Sequence, residues 1–169
     1  DSLFKKEFKI FPSNVYRLRF LTNHDENKDK GTIYERYPEE AYPAFAVFIF
    51  TVEGVPLIYN GQEACLDRRL KFFTKDTIDF TPCEMTGFYR ELISLKKTNP
   101  ALWNGEFGGP MKRIRTSRDR KVFAFSREKD GNTVVTLLNL SKQAVTIKPA
   151  MDDLRGEYRN AFTNEEVSL

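Results

Sequence analysis

The run VYRLRFLT (15–22) alternates apolar and basic positions and then closes on Phe20-Leu21-Thr22. That period of two predicts a strand leading into a fold. In AYPAFAVFIFTVE (41–53), Ala41, Phe45, Phe48 and Val52 recur at helical spacing, which predicts a helix. Glu39 and Glu40 suit its positive amino terminus, and Pro43 is tolerated only in a first turn, so the helix should begin near 40–42. Gly54 is a helix stop, and VPLIYNG (55–61) then reads as a short buried strand with Pro56 at its start. Strand, helix and strand at these lengths predict a βαβ unit with parallel strands and a right-handed crossover. The intervening ENKDKGTIYERYPEE (26–40) reads as a long polar loop, and long loops at strand carboxyl ends usually carry function.

FYRELISLKKT (88–98) is amphipathic, with Phe88, Leu92 and Leu95 on one stripe, and Asn99-Pro100 ends it. From 111 the period changes to two. MKRIRTS (111–117), KVFAFSRE (121–128), NTVVTLLNL (132–140) and AVTIKPA (144–150) alternate, with turn material between them. Asp130-Gly131 marks a hairpin, and GEYRNAFTNEEVSL (156–169) adds one or two strands. The chain is therefore expected to join an α/β part to an all-β, antiparallel part.

Charge and composition narrow the partners. Net charge is +3, from 27 basic and 24 acidic residues, and no basic run occurs, which argues against nucleic acid. No apolar run approaches the ~18 residues that a membrane helix needs, and no Gly-rich phosphate loop occurs. The amino terminus, DSLFKKEF, lacks an initiator Met and a signal core, so a processed chain or an excised segment is expected. Cys65 and Cys83 are the only cysteines. With no CxxC and no histidine beside them they do not suggest a metal site, and free thiols are expected.

Candidate chemistry gathers after the two strands of the βαβ unit. The first ends on Asn23, His24 (the only histidine) and Asp25; the second runs into Gly61, Gln62 and Glu63. Parallel neighbours end on one side, so Asp25 and Glu63 should face one cleft. Two carboxylates there would suit acid–base chemistry on a sugar or ester. A plainer reading has Asn23 and Asp25 bonding their own backbone in a turn, with Glu63 holding a loop by accepting from backbone N–H groups. A third places a metal among His24, Asp25 and Glu63, although one histidine is meagre and the spacing is unlike that of helical zinc pairs. Tyr34, Tyr37 and Tyr42 fit either stacking on a sugar or loop packing. Trp103 fits packing better than sugar stacking, and Arg113, Arg115, Arg118 and Arg120 read as a strand's solvated face.

Two of these segments carry a resemblance. FLTNHDE (20–26) resembles the strand-seven motif of the α-amylase family, glycoside hydrolase family 13, and VEGVPLIYNGQEA (52–64) resembles its strand-eight motif. RRLKFFTKDTIDF (68–80) is similar to the loop after the last barrel strand, and GFYRELISLKKTNPALWNGEF (87–107) to the last barrel helix and its exit. The resemblance implies that residues 1–107 are the carboxyl-terminal part of a (β/α)8 TIM barrel, holding strands seven and eight. Residues 108–169 would be the small antiparallel β-sandwich domain that follows, with its last strands missing. It implies retaining hydrolysis of α-1,4 bonds in α-glucans or maltooligosaccharides; the choice of bond, and hydrolysis against transfer, stay open. Glu26 departs from the commonest amylase residue there. By the same resemblance Asp25 is the transition-state-stabilising carboxylate, His24 bonds the same sugar and Asn23 orients the motif. Gly61, Gln62 and Glu63 become supporting residues.

The family's nucleophile and general acid lie upstream of strand seven, as do its usual calcium ligands. Fourteen residues leave no room for them, so no cofactor and no hydrolysis are expected of this chain alone. A complete barrel takes roughly 250 residues, and uncovered strand edges recruit partners. A companion amino-terminal chain, a domain swap or a homo-oligomer is thus expected. The alternative function is a non-catalytic carbohydrate-binding or structural module. Localisation stays open, being extracellular or periplasmic if the parent carries a signal peptide and cytoplasmic otherwise.

Overall fold

The structure is a computed structural model that describes residues 6–148 and 155–169, apart from residues 8, 13, 14 and 39. Glu39, and residues 149–150 of the fourth expected β segment, lie outside the described residues. The chain divides into two compact units, Tyr16–Lys96 and Lys97–Leu169, the latter with the residues up to Val15.

In the first unit, β1 (Leu18–Phe20) and β2 (Val55–Leu57) lie side by side and run parallel, with Leu18 opposite Val55 and Phe20 opposite Leu57. Both strands are shorter than the pattern predicted. Gly54 turns the chain into β2 at φ +123°, and a Cβ there would stand 2.5 Å from the Arg17 carbonyl oxygen. Only glycine lets the two segments approach so closely.

The expected loop over 26–40 is instead largely helical. It holds α1 (His24–Lys30) and α2 (Ile33–Arg36). The signals are local. Asn23 caps α1 by accepting from the Glu26 N–H at 2.8 Å, and Asp25 and Glu26 occupy its first turn. Thr32 and Glu35 close a capping box around the start of α2. Polarity alone had suggested a loop, whereas the cap spacing specifies two short helices.

Helix α3 (Tyr42–Thr51) starts as expected, with Pro43 in its first turn. Its buried positions are Tyr42, Ala46, Ile49, Phe50 and Thr51, while Phe45 and Phe48 are only partly buried. Of the predicted stripe, Val52 is buried, whereas Phe45 and Phe48 only flank the core. The helix is apolar on every side, so periodicity cannot say which side faces inward. Helix α4 (Glu84–Thr98) begins four residues before the expected 88 and turns Met85, Tyr89 and Leu92 inward. These pack with Leu21, Ile33, Tyr42, Ala46, Ile49 and Phe50 in one core.

Cys65 and Cys83 form a disulfide, with their Cα atoms 6.2 Å apart and a sequence separation of 18. This corrects the expectation of free thiols. Spacing could not show the pairing, because only the packing of α4 against the turn after β2 brings the sulfurs together. A closed loop of this size stabilises a fold by about 3 kcal/mol, chiefly by restricting the unfolded chain. Reduction is therefore expected to lower the denaturant midpoint of the wild-type chain and to leave that of Cys65→Ala/Cys83→Ala unchanged.

The second unit is antiparallel. Strands β3 (Lys112–Ile114), β4 (Val122–Lys129) and β5 (Asn132–Asn139) form one sheet in that order, and β6 (Glu157–Arg159) pairs with β7 (Glu166–Ser168). Asp130 and Gly131 turn the β4–β5 hairpin at φ +49° and +79°, as a two-residue type I′ turn requires. Residues 144–148 are irregular rather than a strand; they meet the Ser117 region through Ser117 N–H to Lys148 O and Lys148 N–H to Ser117 Oγ, both 3.0 Å. Ile114, Val122 and Ala124 centre a small core with Val135, Val145, Ile147 and Leu169 around it.

One of the four arginines expected on a wet surface departs from it, and a fifth, Arg127, outside that expectation, is buried. Arg115, Arg118 and Arg120 are exposed. Arg113 is not: its guanidinium lies 4.5 Å from the Phe123 ring centroid, donates to the Ala124 carbonyl at 2.6 Å and pairs with Asp119. Arg127 is buried outright. It donates to the carbonyls of Gly109 (2.7 Å), Leu102 (3.2 Å) and Trp103 (2.6 Å). Trp103 itself is half exposed and donates its indole N–H to Lys97 O at 3.1 Å.

Candidate functional site

The parallel pairing of β1 and β2 sends the segments after them off from the same end of the pair. On the first, Thr22 is buried and Asn23 spends its side chain on the cap of α1. His24 and Asp25 therefore occupy the first two positions of a helix rather than a strand end. Their side chains are about two-thirds exposed, and His24 Nε2 stands 3.5 Å from Asp25 Oδ2. Nothing in this arrangement buries the carboxylate or commits it to the backbone. An open carboxylate beside an imidazole can together bond adjacent hydroxyls of a ligand.

The second segment is organised differently. Gly61 takes φ +90°, where a Cβ would stand 2.7 Å from Leu66. Gln62 is buried. It accepts from the Tyr59 N–H at 2.7 Å and donates to the Tyr89 hydroxyl at 2.9 Å. The Glu63 carboxylate accepts from Gly61 N–H at 3.1 Å, and its carbonyl accepts from Thr86 Oγ1 at 2.6 Å. Glu63 thus holds the turn after β2. The structure brings Gly61, Gln62 and Glu63 together as a brace, separate in its bonding from His24 and Asp25.

Behind the brace, the hydroxyls of Tyr42 and Tyr89 share a buried hydrogen bond of 2.6 Å. Burial pushes the Tyr42 phenol up to about 12 and raises that of Tyr89 as well. Unfolded tyrosines titrate near 10. A raised folded value means that the neutral pair adds stability fully below pH ~10 and loses it as pH rises toward Tyr42's own range. Unfolding by denaturant between pH 9 and 12 is expected to show this loss, and Tyr42→Phe should reduce it to the share that the buried Tyr89 retains.

The 67–76 loop after β2 supplies residues that sequence reasoning missed. Asn27 is buried and accepts from the Leu70 N–H at 2.8 Å. Asp67 accepts from Thr32 Oγ1 at 2.6 Å, and Arg69 reaches Glu35 and the Lys28 carbonyl at 3.2 Å each. These bonds pin α1 and α2 to the loop. Arg68 grips Asp76 through two hydrogen bonds and, with the Lys71 and Thr77 N–H groups, holds that carboxyl well below its ordinary range. Phe72 lies stacked on His24, with centroids 5.7 Å apart. The one available signal was Phe72-Phe73, two large apolar side chains in a polar stretch. Tyr34 and Tyr42 meet edge to face, and Tyr37 packs on Phe45 and donates to Leu21 O, so all three tyrosines serve packing. Among the described residues, the one group of His, Cys, Asp and Glu close enough to share a metal is Cys65, Cys83 and Glu84, and its sulfurs are bonded to each other. No described helix is long and apolar enough to cross a membrane.

Residues 112–169 match a family model described as "Maltogenic Amylase, C-terminal domain". "Alpha-amylase 2" of Dictyoglomus thermophilum is 26% identical over 170 residues, a match covering 93% of this chain and 27% of that protein. "Alpha-amylase MalA" of Haloarcula japonica is 29% identical over 165 residues, covering 94% of this chain and 24% of that protein. The chain thus spans roughly a quarter of the curated relatives it matches. Among solved structures, the maltogenic α-amylase AmyB of Thermotoga neapolitana superposes with a TM-score of 0.82 at 22% identity, covering 98% of this chain and 39% of that one. An α-amylase from Lactobacillus plantarum gives 0.72 at 20% identity, covering 99% and 38%.

Proposed function

We propose that this chain, whose sequence and fold correspond to the carboxyl-terminal region of the α-amylase family (glycoside hydrolase family 13), serves as that region of an α-glucan hydrolase. In this reading residues 16–96 are the closing strands and helices of a catalytic (β/α)8 barrel, and the antiparallel unit is the β domain that follows it in sequence. Asp25 stabilises the positively charged transition state, and His24 bonds the hydroxyls of the same sugar. Asn23 fixes both by capping α1. Gly61, Gln62 and Glu63 brace the neighbouring strand end. The observation that carries the reading is the exposed His24–Asp25 pair, 3.5 Å apart, on the first turn after a strand whose parallel neighbour ends on the same side.

One carboxylate is not a complete retaining site. Such a site needs a nucleophile and a general acid about 5 Å apart. Glu63 is not the second in this proposal: its carboxylate accepts from Gly61 N–H and its carbonyl from Thr86, so it braces the turn after β2. The chain by itself is therefore inactive in this proposal, and the missing groups come from strands that precede it in the full-length protein. The test compares the two proteins on maltooligosaccharides and follows the anomeric configuration of the products. The full-length protein should hydrolyse with retention and the 169-residue chain should be silent. Hydrolysis by the short chain would show that its site is complete. Failure of the full-length protein on any α-glucan, with sugar binding unaffected by Asp25→Asn, would replace the enzyme reading with a binding module.

A further inference from the structure

Phe73 is 85% exposed, the most exposed large apolar side chain among the described residues. Its ring meets Phe72 edge to face, with centroids 4.7 Å apart and planes at 80°. Phe72 in turn stacks on His24. The Lys28 ammonium lies 4.6 Å from the centroid of Phe72 and 5.4 Å from that of Phe73. The loop that presents them is held rigidly, since Leu70 N–H is bound by Asn27 and Lys71 N–H by Asp76. An aromatic ring left in water on a braced loop contributes little burial to the core, and with Phe72 beside it forms a small exposed apolar patch.

We propose that Phe72 and Phe73 form an accessory subsite, beside His24 and Asp25, that stacks on a glucosyl ring of an α-linked glucan. This rests on the function proposed above. The occupant follows from the neighbours. A pyranose ring has an apolar C–H face that suits an aromatic ring and a hydroxyl edge that suits His24, Asp25 and the Lys28 ammonium. A purely apolar partner would use none of the hydrogen-bonding capacity still offered by the exposed His24–Asp25 pair and by the Lys28 ammonium, which pairs with Asp29 at 3.4 Å. Because Phe72 touches His24 directly, a sugar on Phe73 is continuous with one held by His24 and Asp25.

The test is steady-state hydrolysis of maltooligosaccharides of increasing length by the full-length protein. Stacking of this kind is worth about a 3- to 10-fold change in affinity. Phe73→Ala should raise KM by that factor on the longer substrates, shift the product lengths and leave kcat nearly unchanged. Phe73→Trp should restore KM. Phe73 is exposed, so thermal midpoints should be equal across the set. If wild type cleaves α-glucans but Phe73→Ala keeps its KM and product lengths, the subsite is refuted and the proposed function stands. If Phe73→Ala changes only the sedimentation of the protein, the rings are a protein contact and the subsite is likewise refuted. If wild type neither binds nor cleaves any α-glucan, both readings fall together.

Discussion

In the full-length hydrolase proposed above, Asp25→Asn should lower kcat on maltooligosaccharides by about 10²- to 10³-fold, the scale for removing one preorganised electrostatic group. The substitution keeps shape and removes charge. The lost interaction is strongest when the sugar carries its developing positive charge, so KM should change far less than kcat. Stability should hardly move. Asp25 is about two-thirds exposed, and losing its charge from the first turn of α1 costs a few tenths of a kcal/mol. A variant with normal melting and full activity would remove Asp25 from the chemistry. A variant that melts early would make its role structural.

Replacing Arg127 by methionine should destabilise the antiparallel unit by about 3 kcal/mol or more, since each buried acceptor left unpaired costs roughly 1–3 kcal/mol. The guanidinium fork meets three carbonyls on two separate stretches, Leu102–Trp103 and Gly109. Methionine would fill much of the volume and donate to none of them, leaving buried acceptors unpaired. The surroundings offer little relief. A Cβ at Gly108 would stand 1.8 Å from the Trp103 oxygen, and one at Gly109 would stand 2.1 Å from that of Glu128, so the backbone is already at close approach. Arg127→Lys should recover only part, since an ammonium cannot reproduce the fork. Denaturant unfolding of the three proteins checks the order wild type, Lys, Met. Equal midpoints for Met and wild type would mean that water replaces the fork at no cost.

Much of the candidate site was legible because its signals are short. Asn23, His24 and Asp25 stand next to one another, and their place after a strand needs only the alternation of 15–22. Asp130-Gly131 announced its hairpin, and Pro43 located the start of α3. Even the mistaken loop at 26–40 carried its correction within reach. Asn23 lies three residues before Glu26, and Thr32 lies three before Glu35, which is the spacing of a helix cap.

What only the tertiary structure decided involves residues far apart in sequence. An all-round apolar helix does not say which side it buries; Tyr89 and Leu92 decided that for α3. Cys65 and Cys83 became partners because α4 packs beside the turn after β2. Arg127 resembles exposed arginines in type, and only carbonyls 18 to 25 residues upstream turned it into a buried donor. His24 gained Phe72 in the same way, across 48 residues. Local backbone preference acts over a single turn or strand, so adjacent residues reveal it; burial and pairing depend on which surfaces the folded chain brings into contact.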